Sequence, residues 1–154
     1  CRYVVLRTSW LYSLFGRNFV KTVLERTARC DSMEVVYDQV GCPTYAGDLS
    51  EAIFRIVENR LYEGNEGIYH YSGEGVCSWF DLARQTAELA GHRGFTIEAC
   101  RSDRFPTKAR RPSFSVLDKS KFKDRFGIEI PYWRDSLAVC VKYLVNEHVP
   151  VEGE

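Results

Sequence analysis

The chain has no excess charge of either sign: 21 Lys and Arg stand against 21 Asp and Glu, and the formal net charge is zero. A neutral chain has no global field to recruit nucleic acid or an anionic membrane, and neither is expected as a partner. It has no apolar run near membrane-spanning length and no secretory signal. Six cysteines (Cys1, Cys30, Cys42, Cys77, Cys100, Cys140) are scattered without a C-x-x-C pair. None stands in zinc-ligand spacing with His70, His92 or His148. No metal site is expected, and free thiols in a reducing cytoplasm account for the cysteines. There is no initiator Met, and a strand pattern begins almost at Cys1. The chain is therefore expected to start within a longer protein.

What is present is ordinary for one globular domain. The 154 residues are 45% hydrophobic and 27% charged, enough to bury a sizeable core. A continuous apolar run predicts a buried strand over Tyr3 to Trp10. Asn18 is placed to cap a helix with Phe19, Val20, Val23, Leu24 and Thr27 on one face. A short strand is predicted over Glu34 to Tyr37, then a corner at Gly41 and Pro43, then a helix from about Asp48 to Leu61 with Asp48 as its cap. Gly67 to Tyr71 reads as a strand. Ser78-Trp79-Phe80-Asp81 reads as a capping box opening a helix that Gly91 closes. Phe95 to Ala99 alternates as a half-exposed strand, and Arg101 to Ser115 reads as a loop. Two helices follow, one through Phe122 and Phe126 to Gly127, one carrying Leu137, Val141 and Leu144, before a frayed tail from Val149. Strands alternating with helices predict an α/β fold with at least partly parallel pairing.

Five blocks stand out in order. They are Leu6-Arg7-Thr8-Ser9-Trp10-Leu11-Tyr12; Asn18-Phe19-Val20; Asp38-Gln39-x-Gly41-x-Pro43-Thr44-Tyr45-Ala46-x-Asp48-Leu49; Gly67-Ile68-Tyr69-His70-x-Ser72-Gly73; and Arg111-Pro112-x-x-Ser115-x-Leu117-Asp118. Together they resemble dTDP-4-dehydrorhamnose reductase, an extended short-chain dehydrogenase/reductase, over nearly the whole chain. The resemblance implies the C-terminal portion of such an enzyme over 1–154: Rossmann-like parallel strands plus a small α/β substrate-binding region. Family members reduce the 4-keto group of a dTDP-linked deoxysugar with NADP(H) or NAD(H).

Two parts of the family are missing. The glycine-rich dinucleotide loop does not occur, since Gly73-Glu74-Gly75 lacks a third glycine at the fingerprint spacing. No Tyr has a Lys four residues later, so the family's catalytic pair is absent. The resemblance therefore implies substrate recognition without hydride chemistry, no catalytic residue in this stretch, and no tight cofactor binding by it. The implied substrate residues are Thr8, Ser9, Trp10, Asn18, Gln39, Thr44, Tyr45 and Arg111. Trp10 is the residue expected to stack on the sugar. Arg111 is the one expected to grip the diphosphate, because a planar guanidinium makes two hydrogen bonds to such an anion. Lys108, Arg110, Arg101 and Arg104 make its neighbourhood basic. A helix cap explains Asn18 equally well, and His70 and Cys42 read as packed residues. Two further readings stay open: a non-catalytic regulatory subunit similar to the methionine adenosyltransferase β-subunit, and a reductase or epimerase of another nucleotide sugar. An apolar sheet edge is also expected to make the isolated chain self-associate.

Overall fold

The computed structural model describes residues 2–105 and 111–146. In chain order the elements are β1 (Val4–Arg7), β2 (Leu11–Tyr12), α1 (Phe19–Arg29), β3 (Ser32–Val36), β4 (Val40–Gly41), β5 (Thr44–Tyr45), α2 (Ala46–Glu58), β6 (Gly67–His70), β7 (Cys77–Ser78), α3 (Trp79–Leu89), β8 (Thr96–Cys100), a 3-10 turn at Ser102–Arg104, α4 (Ser120–Phe126) and α5 (Trp133–Asn146). Strands pair in four two-stranded ladders. β1 with β6, β2 with β5, and β3 with β8 are parallel, and β4 with β7 is antiparallel. The fold is the α/β arrangement with parallel pairing that the alternation predicted.

Local chemistry accounts for most boundaries. Asn18 caps α1, its Oδ1 accepting the Lys21 N–H at 3.1 Å. The capping box of α3 is complete: the Ser78 side chain accepts the Asp81 N–H, and the Asp81 carboxylate accepts the Ser78 N–H. Gly91 and Gly127 follow α3 and α4 in the left-handed region that glycine tolerates. The core has three clusters. Tyr12, Val20, Leu82, Leu137, Cys140 and Val141 join α1, α3 and α5. Ala52, Ile56, Tyr69, Phe122 and Phe126 join α2, β6 and α4. Val23, Val35 and Ala83 fill the space between α1, β3 and α3.

Three expectations are corrected. The first strand stops at Arg7 and is not buried on both sides. Val4 and Leu6 pack toward α2 and α4, whereas Val5 and its β6 partner Ile68 are each 42% exposed. A continuous apolar run here marks a ribbon with one face open. Asp48 does not cap α2. The cap position is Tyr45, without a side-chain bond, and Asp48 lies in the first turn with its carboxylate accepting the Ser136 hydroxyl of α5. The segment read as a loop carries a 3-10 turn at Ser102–Arg104 and a single bridge between Phe114 and Val40. Asp38 accepts the Ser102 N–H and hydroxyl at 2.9 and 3.0 Å. Further on, Val40 exchanges backbone bonds of 2.9 Å with Ser113 and Ser115. The tail predicted to fray from Val149 lies outside the described residues.

The corner between β4 and β5 is tied to the residues after β1 by three hydrogen bonds. The Ser9 hydroxyl donates to the Cys42 carbonyl at 3.2 Å, and the Thr44 hydroxyl donates to the Ser9 carbonyl at 2.7 Å. The Thr44 N–H donates to the Trp10 carbonyl at 3.1 Å. Beneath the corner lies Lys119, only 8% exposed. Its ammonium donates to the Gly73 carbonyl at 3.2 Å and pairs with Glu74 at 3.4 Å, and Lys123 pairs with the same carboxylate at 3.0 Å. Gly73 in turn lies against Pro43, where a Cβ would fall 2.3 Å from the carbonyl oxygen.

Glu74 gives this support a pH dependence. Burial pushes its carboxyl up, but the Lys123 hydrogen bond and the Lys119 and Lys123 charges outweigh burial and hold it below the usual carboxylate range. The unfolded chain therefore takes up this proton at a higher pH than the native chain. The stabilisation is fully present above the unfolded-state pKa and is lost as pH falls through the native one. Glu74→Gln is expected to destabilise at neutral pH and to converge on the parent in acid, by urea unfolding across pH. A difference that stays constant across that range would exclude the titration of Glu74 as its source. Gly41 supplies a second prediction. A Cβ there would lie 2.6 Å from Trp10 Cε2 and 2.7 Å from Ser115 Oγ. Gly41→Ala is expected to lower stability by about 1–3 kcal/mol, the usual cost of overpacking. An unchanged denaturation midpoint would mean that the ring moves aside freely.

Candidate functional site

Trp10 follows β1 with φ at 48°, in the left-handed region that a bulky residue adopts at a cost. Its carbonyl is held by Thr44 and its ring by two neighbours. The Trp79 indole lies parallel to it, with centroids 3.7 Å apart and planes 8° apart. Gly41 sits directly against the ring. Trp79 is in turn met edge-on by Phe19 of α1, at 4.9 Å and 72°. The β4–β7 ladder brings these residues together by pairing Val40 with Ser78 and Gly41 with Cys77.

Beside this pair runs a groove of about 610 Å³, lined by Trp10, Phe19, Trp79, Gln39, Arg111 and Ser115 and floored by Val35 and Val36 of β3. The Ser115 hydroxyl donates to the Val40 carbonyl at 3.0 Å, so the Arg111–Ser115 segment is docked along β4. Arg111 is exposed at the rim. The groove combines flat apolar walls with an amide and a guanidinium. Its volume falls in the range of small-ligand sites.

The structure brings three of the eight sequence-derived candidates to this groove: Trp10, Gln39 and Arg111. The other five do not line it. Thr8 is exposed at the end of β1. Ser9 and Thr44 spend their hydroxyls on the corner, and Thr44 is buried. Asn18 caps α1 and donates to the Ser13 carbonyl at 2.9 Å. Tyr45 stacks on Tyr12, with centroids 5.7 Å apart. In the basic segment, Arg104 pairs with Glu34 at 3.0 Å, and Lys108 and Arg110 lie outside the described residues. His70 contacts the Asp118 carbonyl through Nδ1 at 3.2 Å. Cys42 is fully buried. Burial pushes the Cys77 and Cys140 thiols up to about 12, which keeps them protonated at neutral pH.

Residue-by-residue reading of the sequence missed Trp79, Ser115 and Phe105, the last of which also lines the groove. Ser115 stood inside the Arg111-Pro112 block. Trp79 had only its place after a capping serine, and Phe105 carried no signal. The short glycine match Gly73-Glu74-Gly75 has a packing role. Gly73 is closed off by Pro43, and a Cβ on Gly75 would meet the Tyr132 ring at 2.3 Å, so both glycines serve close packing. Among the described residues there is no cluster able to hold a metal ion, and no helix is long and apolar enough to cross a membrane.

Comparison with known proteins places this geometry in a family. The dTDP-4-dehydrorhamnose reductase of Sinorhizobium fredii is 39% identical over 152 residues, covering 94% of this chain and 51% of the relative. That of Aggregatibacter actinomycetemcomitans is 37% identical over 142 residues, covering 87% and 48%. The crystal structure of a dTDP-4-dehydrorhamnose reductase from Clostridium acetobutylicum superposes with a TM-score of 0.84 at 34% identity, over 92% of this chain and 49% of that one. The Bacillus anthracis dTDP-4-dehydrorhamnose reductase in complex with NADP gives 0.82 at 31% identity, over 91% and 48%. The chain thus spans about half the length of the relatives it matches. Residues 1–146 match the family described as the RmlD substrate binding domain, and to that family the chain belongs.

Proposed function

We propose that this chain is the substrate-binding part of a nicotinamide-dependent reductase that converts dTDP-4-dehydro-L-rhamnose to dTDP-L-rhamnose in the cytoplasm. The observation that carries this reading is the convergence of Trp10, Gln39 and Arg111 on one groove. A nucleotide sugar has a ring, a diphosphate and a base, and the groove has a partner for each. Arg111 holds the diphosphate by a charge-assisted fork, as a guanidinium does with such anions. Trp10 offers an apolar surface to the deoxysugar, and Gln39 offers an amide to the polar groups of the nucleotide. Five other candidates act through the frame: Ser9 and Thr44 fix the corner, Asn18 fixes α1, Tyr45 packs under it, and Thr8 leads into it.

Gly73 and Gly75 are taken up by close packing and form no dinucleotide loop, so the chemistry assigned to this chain is binding and orientation. Holding a reacting carbonyl in one geometry is a large part of catalysis, worth up to roughly 7–11 kcal/mol in model reactions. NADP(H) or NAD(H) and the acid that protonates the sugar oxygen belong to the remainder of the longer protein. The intact Ser9-Trp10 and Gly41-x-Pro43-Thr44 blocks, now seen to build the groove's support, favour this reading over a regulatory subunit.

Calorimetric titration tests the assignment. The chain is expected to bind a dTDP-sugar saturably and NADPH far more weakly. Arg111→Ala is expected to weaken the dTDP-sugar by about tenfold or more, since a hydrogen bond to a charged group is worth about 1.5–3 kcal/mol. Trp10→Ala should weaken it while the fold survives. Unchanged affinity in both variants, or no binding by the parent, would sink the reading.

We also propose that the isolated chain associates with itself through the β1–β6 ribbon. Val5 and Ile68 are exposed on its open face, and Tyr3 and Val57 border an apolar cavity of about 440 Å³ at the β1 edge. An open strand edge beside apolar surface is a template for another chain. Light scattering from micromolar concentration downward is expected to show a concentration-dependent mass. A monomer throughout, binding no hydrophobic dye, would refute this.

A further inference from the structure

We infer that Trp79 is the positioning residue for Trp10: it holds the Trp10 indole, and with it a strained backbone, in the one orientation that faces the groove. This rests on the reading of the groove as a nucleotide-sugar site.

The argument starts from the backbone. At φ 48° a tryptophan sits where only glycine is at ease. Such a conformation persists only when its surroundings over-determine it. The Thr44 N–H on the Trp10 carbonyl fixes the peptide but leaves the side-chain torsions free. Besides its packing against the core cluster of Tyr12, Val20 and Leu82, two contacts bear on the ring directly: the stack on Trp79 and the contact with Gly41. These two are not equivalent. Gly41 offers a bare backbone and excludes space, whereas Trp79 offers a full indole face at 3.7 Å.

Trp79 is itself anchored independently of Trp10. It is the first residue of α3, directly after the capping serine whose hydroxyl accepts the Asp81 N–H at 3.1 Å. Phe19 meets its ring edge-on from α1. Trp79 is therefore the fixed plate, and Trp10 is the ring laid on it. The stack also sets what a ligand finds. One face of Trp10 is occupied by Trp79, so a sugar takes only what Trp79 and Gly41 leave of the indole. An aliphatic residue at position 79 would fill space but would not hold the ring parallel.

The test uses the chain labelled with 5-fluorotryptophan, whose three tryptophans give three fluorine resonances. Trp10→Phe assigns the Trp10 line. In the parent that line is expected to be narrow and displaced by the Trp79 ring current. In Trp79→Leu it should move toward its unfolded position and broaden, while the Trp133 line stays put and reports an intact core. In Trp79→Phe it should stay narrow and shift only part of the way. A Trp10 line unmoved in either variant overturns the proposal. If Trp79→Leu does not fold, Trp79→Phe decides alone, by a narrow and partly shifted line against an unmoved or broadened one. A dTDP-sugar titration follows the same lines. Trp79→Leu should lose affinity by about fivefold, within the worth of one aromatic pair, and Trp79→Phe should recover most of it. Equal affinity in parent and Trp79→Leu overturns the positioning role. A parent that does not respond to the dTDP-sugar at all overturns the substrate assignment, while the label still shows whether Trp79 holds Trp10.

Discussion

The site depends on one set of bonds, those between the Ser9–Trp10 peptide and the Cys42–Thr44 corner. Ser9, Trp10, Cys42 and Pro43 lie outside the ladders, and only Thr44 belongs to one, paired with Leu11. Thr44 bonds the two carbonyls of Ser9 and Trp10 with its hydroxyl and its N–H, and Ser9 returns a bond to Cys42. Such bonds are individually modest, about 0.5–1.5 kcal/mol net, but breaking one here leaves a partner unsatisfied in a buried place, which costs more. Lys119 extends the arrangement downward. A buried ammonium is costly unless paired, and this one has both a carbonyl and a carboxylate. Removing Glu74 thus leaves a buried ammonium without its carboxylate directly under this corner.

From that corner the groove follows almost by construction. Gly41 must be glycine for the Trp10 ring to lie where it does, and Ser115 bonds to the preceding carbonyl, so one backbone turn positions both an aromatic wall and the arginine segment. The floor comes from β3, which is locked to β8 and, through Asp38, to the turn at Ser102. Charge inside the groove is sparse: Glu34, one of its lining residues, is already paired with Arg104. Among the described residues, the groove's lining carboxylate thus has a partner other than Arg111.

How much of this was legible depended on whether the signal was local. The caps of α1 and α3 and the stops at Gly91 and Gly127 were readable because a cap is decided within four residues. Tyr3 to Trp10 was misjudged because an apolar run does not say whether both faces are covered; here Val5 and Ile68 share an open one. Asp48 was misread because its partner, Ser136, stands on a helix far along the chain, and the choice between capping and tertiary bonding is made by packing. The same holds for the site. The family blocks contain Trp10, Gln39 and Arg111, which line the groove, together with residues that support it. Sequence order cannot separate the Thr44 that holds the frame from the Trp10 that lines the groove. Trp79 was invisible because a stack between rings from distant segments leaves no pattern in either.

The four ladders have a consequence for how the chain acquires its structure. Among the described residues, no ladder joins strands adjacent in sequence: β1 waits for β6, β2 for β5, β3 for β8 and β4 for β7. No hairpin can therefore form early and template the rest, and every strand contact must first close a long loop. High mean sequence separation of contacts slows folding. The helices can form locally, so α1, α2 and α3 are the natural first structures, and the strand pairs are late events that depend on helix docking. Until Val40 and Gly41 find Cys77 and Ser78, neither indole has its seat. The groove therefore requires the long-range pairing of β4 with β7, which brings together residues far apart in the chain.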